Sequence, residues 1–304
     1  MLQPLFIYDW YWYDGRPFLE QCLNDGYLKA KNNHRVKFYL MWANHDVTHL
    51  WDKRISNIED NIIWRGATDR KQFENVAHRV IDRYFGHEAY YKMDGKPVFM
   101  IYELANLVAG LGGVDATRKA LEWFREAVGK AGHPGLHLQL TTWGAVKTAW
   151  GADSLDLRGI DPAAPVGPAA TVRKFGFDSQ SHYQMAHFTN IDRNYADIIP
   201  DMEKEWALME KTYDIPYFPH VSVGWDNNPR FQSLKPGVVK NNKPELFGRA
   251  LELARAYADR HPKQAPLITI NSWNEWTEGS HLEPDDLNGY GYLEAVKKVF
   301  VPAR

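Results

Sequence analysis

Two glutamates three residues apart, Glu275 and Glu278, stand in the segment Asn271-Ser272-Trp273-Asn274-Glu275-Trp276-Thr277-Glu278-Gly279-Ser280-His281-Leu282-Glu283-Pro284. The apolar run Leu267 to Ile270 leads into them, so they belong at the mouth of a strand. If the chain turns helically there, positions i and i+3 share one side, with Cβ atoms about 5–6 Å apart. Two carboxyls so placed can face one glycosidic bond, their pKa values separated by burial and mutual repulsion. Retaining glycosidases commonly hold such a pair about 5–5.5 Å apart and inverting ones further. Cβ spacing does not fix the carboxyl spacing, so the stereochemical outcome stays open. The plain alternative is a solvated acidic turn; Trp273, Trp276 and the strand end beside the pair weigh against it.

The elements that must position this pair alternate along the chain. Short β-branched or aromatic runs predict strands at Leu5–Trp10, Val36–Trp42, Pro97–Glu103 and His137–Trp143, a weaker one near Ser179–Met185, then Tyr217–Trp225 and Leu267–Asn274. Between them, Arg70–Phe85 puts Phe73, Val76, Ala77, Val80, Ile81 and Tyr84 on one helical face and stops at Gly86. Asp115 can cap a second helix, with Ala120, Leu121, Phe124, Ala127, Val128 and Ala131 on its face and Gly132 just beyond. Leu246–Tyr257 repeats the pattern through Phe247, Ala250, Leu251 and Ala254, and a last helix falls near Leu293–Phe300. Strand, helix, strand at such intervals means βα units on a parallel sheet. The fold expected is α/β, a (β/α)8 TIM-type barrel. Seven strands are visible, and the first begins within a few residues of Met1, so the first β/α unit is the one that would be lacking. Asp161–Thr171 reads as a Pro/Ala/Gly-rich loop, and no linker or repeat divides residues 1–304, which read as one catalytic domain.

In such a barrel the C-terminal strand ends build the site. Those ends carry aromatic rings with Asn, Asp, His and Glu, the chemistry of a carbohydrate cleft, where sugar C–H faces stack on rings and polar groups read hydroxyls. The expected catalytic residues are Glu275 and Glu278. The expected substrate contacts are Tyr8, Asp9, Trp10 and Trp12 from the first strand, Trp42, Asn44 and His45 from the second, Tyr102, Trp143, His182 and Tyr183 from the next three, Trp225 and Asp226 from the sixth, and Asn274, Trp276 and His281 from the last. Any one such Trp could instead cap the barrel core.

Composition narrows the partners. Lys plus Arg number 36 against 38 for Asp plus Glu, a formal charge of −2 that argues against a nucleic-acid or membrane-surface partner. The single cysteine, Cys22, excludes an internal disulfide framework and any multi-thiolate metal site. No apolar run approaches the roughly 18–20 residues of a membrane span, and the chain shows no signal peptide at its start; localisation and oligomeric state stay open. Twelve Trp and sixteen Tyr mean either an unusual core or a site lined for flat, half-apolar ligands such as sugar rings.

The segment Asn-Glu-Trp-Thr-Glu-Gly-Ser-His-Leu-Glu-Pro resembles the signature of the WbsX-type proteins, which are related to the endo-α-mannosidases of glycoside hydrolase family ninety-nine. Phe6–Trp12, Lys37–Asn44, Lys96–Tyr102 and Gly224-Trp225-Asp226-Asn227-Asn228-Pro229-Arg230 resemble the same group in the same order, so the likeness covers nearly the whole chain. It implies a (β/α)8 barrel with the first strand and helix absent here. It also implies a metal-independent glycoside hydrolase acting on an α-linked oligo- or polysaccharide, with no cofactor. By position, Glu275 would be the base toward the sugar 2-hydroxyl and Glu278 the general acid and base, through a 1,2-anhydro sugar with net retention. Where WbsX-type chains usually follow Trp-Ala-Asn with Glu-Asn-Trp, this one has His45-Asp46-Val47, a change in a loop that should border the cleft.

Other chemistries have weaker footing. His45 and His49, four apart with Asp46 and Asp52 nearby, could face a metal, but no third ligand is placed and the expected metal content is none. Gly110-Leu111-Gly112-Gly113 lacks the third glycine of a dinucleotide fingerprint and reads as a βα loop. Asp226 to Arg230 could be a plain turn, with Asp226 or Arg230 reaching a sugar hydroxyl. A glycosyltransferase of polysaccharide biosynthesis is the main alternative activity, although no Asp-x-Asp pair is present; a non-catalytic glycan-binding protein is the third.

Overall fold

The computed structural model describes residues 4–49, 62–143 and 156–301. Seven parallel strands run in chain order: β1 (Leu5–Tyr13), β2 (Lys37–Trp42), β3 (Lys96–Ile101), β4 (His137–Thr142), β5 (Ser179–His182), β6 (Tyr217–Phe218 and His220–Ser222) and β7 (Thr269–Asn271). Each pairs with the next, from Trp10 opposite Trp42 at one end to Ser222 opposite Asn271 at the other. These are the strands expected from the sequence. Pro219 splits β6 because it brings no N–H to the ladder; residues before it pair with β5 and residues after it with β7.

The helices between them cover one face of this sheet. α1 (Arg70–Val80) starts at Asp69, whose carboxylate accepts from the Gln72 N–H at 2.8 Å, and runs on through a wider turn to Phe85. Its Phe73, Val76, Ala77 and Val80 are buried, as the periodicity predicts. α3 (Val114–Lys130), α6 (Pro244–Arg260) and α7 (Gly291–Phe300) are likewise as expected. The cap of α3 is not. The Val114 N–H donates to Asp161 at 2.9 Å, while Asp115 lies in the first turn paired with Lys174.

Three helices escape the sequence pattern. α2 (Leu104–Leu111) buries Leu104, Leu107, Val108 and Leu111 on one face, but it spans only eight residues and follows directly on β3; its end and the left-handed Gly112 form the segment expected to be a glycine loop. α4 (Pro168–Phe175) opens with proline at its first position, inside the stretch read as loop. α5 (Tyr195–Thr212) contains Pro200, which breaks the reading of the sequence but not the helix. No helix among the described residues is long and apolar enough to cross a membrane.

Side chains alternate across the strands with period two. On the outer face, Phe38 packs on Tyr84 and Trp42 on Phe73, and Phe85, Phe99 and Phe124 form an aromatic cluster. On the inner face, strands that are not neighbours touch. Tyr39 of β2 donates to Gln139 of β4 at 2.7 Å, and Ser181 of β5 meets Thr269 of β7 at 2.7 Å. The sheet is therefore curled around its own polar interior, an α/β architecture with a central parallel sheet. Among the described residues no strand pairing joins β7 to β1; there the Phe6 ring packs edge-on against Trp273, 5.4 Å between centroids.

A buried network fastens β1 to the helix layer. Glu20 accepts from the Trp10 indole at 2.7 Å and from the Arg79 Nε at 2.8 Å. Burial alone would raise the Glu20 pKa, yet the Arg79 and Trp10 donors hold it below the usual value. Glu20→Ala would leave Trp10 and Arg79 unpaired. Because Arg79 is partly exposed, the expected loss is near the low end for a broken buried pair, about 3 kcal/mol in urea unfolding; no change in the urea midpoint would show that the network is not needed to fasten β1.

Candidate active site

The glutamates sit on a loop shaped by short-range bonds. Asn274–Glu275 pairs antiparallel with Ser280–His281, and between them Trp276–Glu278 makes one 3₁₀ turn. Glu275 stands just before this turn and Glu278 ends it, so a helical turn does lie between the two glutamates, in its tighter form. Gly279 closes it at φ 59°; a Cβ there would lie 3.0 Å from the Asp226 Cβ, so both conformation and space call for glycine. The Asp226 N–H donates to the Glu278 carbonyl at 2.6 Å, which ties the loop after β6 to the loop after β7.

One guanidinium faces both carboxylates. Arg230 Nη1 lies 3.1 Å from Glu278 Oε1 and Nη2 lies 3.8 Å from Glu275 Oε2, while its Nε donates to Thr277 Oγ1 at 3.0 Å. Asp226 accepts from the Asn228 backbone and side chain, which shapes the turn that presents Arg230. Glu278 is buried, and its Oε2 has no hydrogen-bond partner among the described residues. Burial, reinforced by the Glu275 charge, pushes the Glu278 pKa well up against the opposing pull of Arg230. Across from them, the Tyr183 hydroxyl lies 3.2 Å from Asp9 Oδ2 and 3.5 Å from Glu275 Oε1. Asp9 is raised to about 7, mainly by burial and then by Glu275 and Glu278.

Rings gather beside this cluster. Tyr102 meets Tyr183 at 5.1 Å, Trp143 at 5.5 Å and His45 at 5.6 Å, and Tyr11 meets His45 at 5.9 Å. Trp143 lies flat on His187, 4.1 Å apart. Burial lowers the His45 pKa, favouring the neutral ring. Trp276, exposed, stacks on His281 at 3.7 Å and donates to Glu283 at 2.6 Å, and His281 meets Asp285 at 3.1 Å, so the outer indole face is held open. Asn274 is exposed on the same hairpin, and Trp225 is partly buried against the core.

Strand alternation corrects several expected contacts. Tyr8, Trp10 and Trp12 lie on the outer face of β1, opposite to Asp9. Tyr8 packs with Tyr27 and Phe38, the Trp10 indole bonds Glu20, and Trp12 donates to Gln72 of α1 at 3.1 Å. Trp42 is fully buried on α1. His182 is buried between Tyr217, at 2.7 Å, and Glu205 of α5, at 3.3 Å. The Asn44 side chain is consumed by the Glu103 backbone, donating at 2.7 Å and accepting at 2.8 Å. Asp226, in the same way, serves the turn. Tyr11 and His187 are the site residues missing from the expected set, and Arg230, expected to reach a sugar hydroxyl if anything, faces the two glutamates instead. Tyr11 was legible as two positions beyond Asp9 on one strand face; His187, on a turn after β5, carried no signal. His45 and Asp46 are not joined in a metal-binding group: among the described residues no three His, Cys, Asp or Glu converge so, and Asp52 lies outside those residues.

The cluster has a cost that pH reveals. Asp9 and Glu103 are both held near 7 in the folded protein, chiefly by burial, against ordinary values of 3.8 and 4.5. The folded chain therefore keeps protons at these two groups that the unfolded chain releases between about pH 4 and 7, so their contribution to stability falls as pH rises through that window. Buried histidines held neutral, His187 and His220 among them, act in the opposite sense below the ordinary imidazole value, so the test compares two proteins: the urea midpoint of wild type relative to Asp9→Asn should decline toward pH 7 and then level. A relative midpoint that stays constant or rises through the same window would contradict the raised Asp9 carboxyl.

Chains of known identity share this arrangement of strands. The GH99 endo-α-mannosidase of Bacteroides thetaiotaomicron superposes with a TM-score of 0.51 at 16% identity, over 95% of this chain and 72% of that one. A structure described as a glycoside hydrolase-like protein superposes with a TM-score of 0.56 at 16% identity, over 92% and 75%. At such identity the likeness speaks for the fold. The protein WxcX of Xanthomonas campestris pv. campestris is 24% identical over 303 residues, which are 98% of this chain but 39% of WxcX, so the chain spans about two fifths of the length of that relative. The family described as glycosyltransferase WbsX matches residues 4–296, nearly all of the sequence, and the chain belongs to that family.

Proposed function

We propose that this chain is one catalytic domain of a glycan-processing enzyme that hydrolyses an α-linked, α-mannoside-like glycan, with Glu278 as general acid and Glu275 as base. The observation that carries this reading is the unequal pair on Arg230: a buried Glu278, its pKa pushed up and one oxygen unpartnered, beside the more open Glu275. A buried acid that keeps its proton near neutrality can protonate a leaving oxygen. The fold shared with a GH99 endo-α-mannosidase supports it further. We read the seven strands as an eight-stranded barrel with one position open between β7 and β1, the place Phe6 and Trp273 span.

In this mechanism Glu275 takes the proton of the sugar 2-hydroxyl as O2 attacks C1. The C1–leaving-oxygen bond breaks and that oxygen takes the Glu278 proton. Water then opens the 1,2-anhydro sugar at C1, giving its proton to Glu278 while O2 recovers one from Glu275, with net retention. Tyr11, His45, Tyr102, Trp143 and Tyr183 would wall the sugar, and the outer face of Trp276 would meet it at the rim.

The family's description favours a second reading, transfer from a sugar nucleotide. Calorimetric titration with nucleotide-sugars separates the two, since saturable binding belongs to a transferase. For hydrolysis, a glycan panel incubated with wild type should give cleavage that Glu278→Gln lowers about 10²–10⁴-fold with binding retained. The wild-type rate should fall on the alkaline side as Glu278 loses its proton. An aryl glycoside with an acidic phenol as leaving group should lose less in the variant. Unchanged cleavage by Glu278→Gln would remove the acid role.

A further inference from the structure

Asp9 is not explained by packing or by the two-glutamate reaction. It sits on the inner face of β1, and among the described residues its carboxylate has one hydrogen-bonding side chain, Tyr183. A partly buried carboxyl with so little compensation weakens the fold above its pKa, as the pH dependence above expresses. Groups kept at such a cost concentrate where chemistry uses them.

The position of Tyr183 suggests the use. A phenol has one proton to donate and two lone pairs to accept. Its hydroxyl is within reach of both Asp9 Oδ2, at 3.2 Å, and Glu275 Oε1, at 3.5 Å, so side chains from β1, from just after β5 and from the hairpin after β7 meet at one phenol. The longer contact is at the edge of hydrogen-bonding range, as catalytic contacts often are before substrate binds.

We propose that Asp9 acts as a proton store for Glu275, reached through the Tyr183 hydroxyl. The proposal rests on Glu275 being the base of the reaction above. When Glu275 takes the proton of the 2-hydroxyl, its new O–H donates to the Tyr183 oxygen as the Tyr183 proton passes to Asp9 Oδ2. Tyr183 ends neutral, Glu275 is again a carboxylate and Asp9 is the acid. When water opens the 1,2-anhydro sugar, the same shifts run backwards and O2 regains its proton. Nothing is consumed. The surroundings favour this role, since Glu275 and Glu278 raise Asp9 electrostatically, Tyr11 and Tyr102 flank it as neutral phenols, and Arg230 directs its charge at the glutamates.

Asp9 and Tyr183 are positioning residues, acting through Glu275, so the test needs a readout that a structural role would not move. Infrared difference spectra of the full chain without substrate, recorded from pH 5 to 9, should show a protonated-carboxyl band that Asp9→Asn removes in part. Tyr183→Phe should move that band to higher pH, because the phenol bond that lowers the Asp9 pKa is gone. On whatever glycan the wild type cleaves, each variant should lower kcat about 10–100-fold with KM little changed, and the double variant should be no worse than the poorer single one. An active wild type whose variants keep kcat and the pH–rate profile, whatever happens to stability, overturns the store alone. A spectrum unchanged by Asp9→Asn overturns it as well. A wild type that cleaves nothing in the panel removes the reaction itself, and the store with it.

Discussion

The Arg230 guanidinium, wedged beside Glu275 and Glu278, is the contact on which the candidate site depends. Two carboxylates on one short turn repel each other, and burying either costs more than water would. One cation facing both resolves this, but unequally: 3.1 Å to Glu278 and 3.8 Å to Glu275. The inner glutamate, with the closer cation, is nonetheless the one whose proton is held, because burial outweighs the pull of Arg230. The difference between the two glutamates is thus one of depth rather than of residue type.

Arg230 can take this position only because two loops are fastened together. The turn that presents it is shaped by Asp226 and Asn228, and the Asp226 N–H holds the Glu278 carbonyl. Gly279 lets the chain pass Asp226 without a side chain in the way. The strand ends set the distance between these loops: β6 and β7 pair from His220 opposite Thr269 to Ser222 opposite Asn271. Below them, Ser181, Thr269, His220 and Ser222 link through hydroxyl and imidazole contacts of 2.7–2.9 Å, a polar floor under the cluster.

Much of the scaffold is legible in the sequence because each strand and most helices carry their own period. Six apolar runs and the weaker, polar one near Ser179–Met185 correspond to the seven strands, and the face of α1 was read residue by residue. The site was legible in part. Glu275 and Glu278 are close in sequence, so a local turn was enough to bring them together. The rings of β1 were harder, since Tyr8, Asp9, Trp10, Tyr11 and Trp12 all look fit for a sugar cleft by type. Choosing between them needs the phase of the strand, which is set by what Trp10 and Trp12 meet on the helix layer, Glu20 and Gln72. Those partners lie ten and sixty residues away, and nothing local announces them. α5 was illegible for a different reason: Pro200 contradicts helix locally, and the burial of Ile198, Met202, Trp206 and Met209 overrides it.

The phase of β1 also explains why one strand serves both stability and chemistry. Its even residues, Trp10 and Trp12, commit their indole N–H groups to the helix layer and fix the strand's rotation. With the rotation fixed, a period of two leaves Asp9 and Tyr11 no choice but the inner face. The aromatic residues that looked most like ligand contacts are therefore what aims the carboxylate that does face the cleft. A slip of one residue would bury Asp9 among the phenylalanines of the helix layer and turn Trp10 into the cavity, so the Glu20 bond to Trp10 guards the site from a distance, without being part of it.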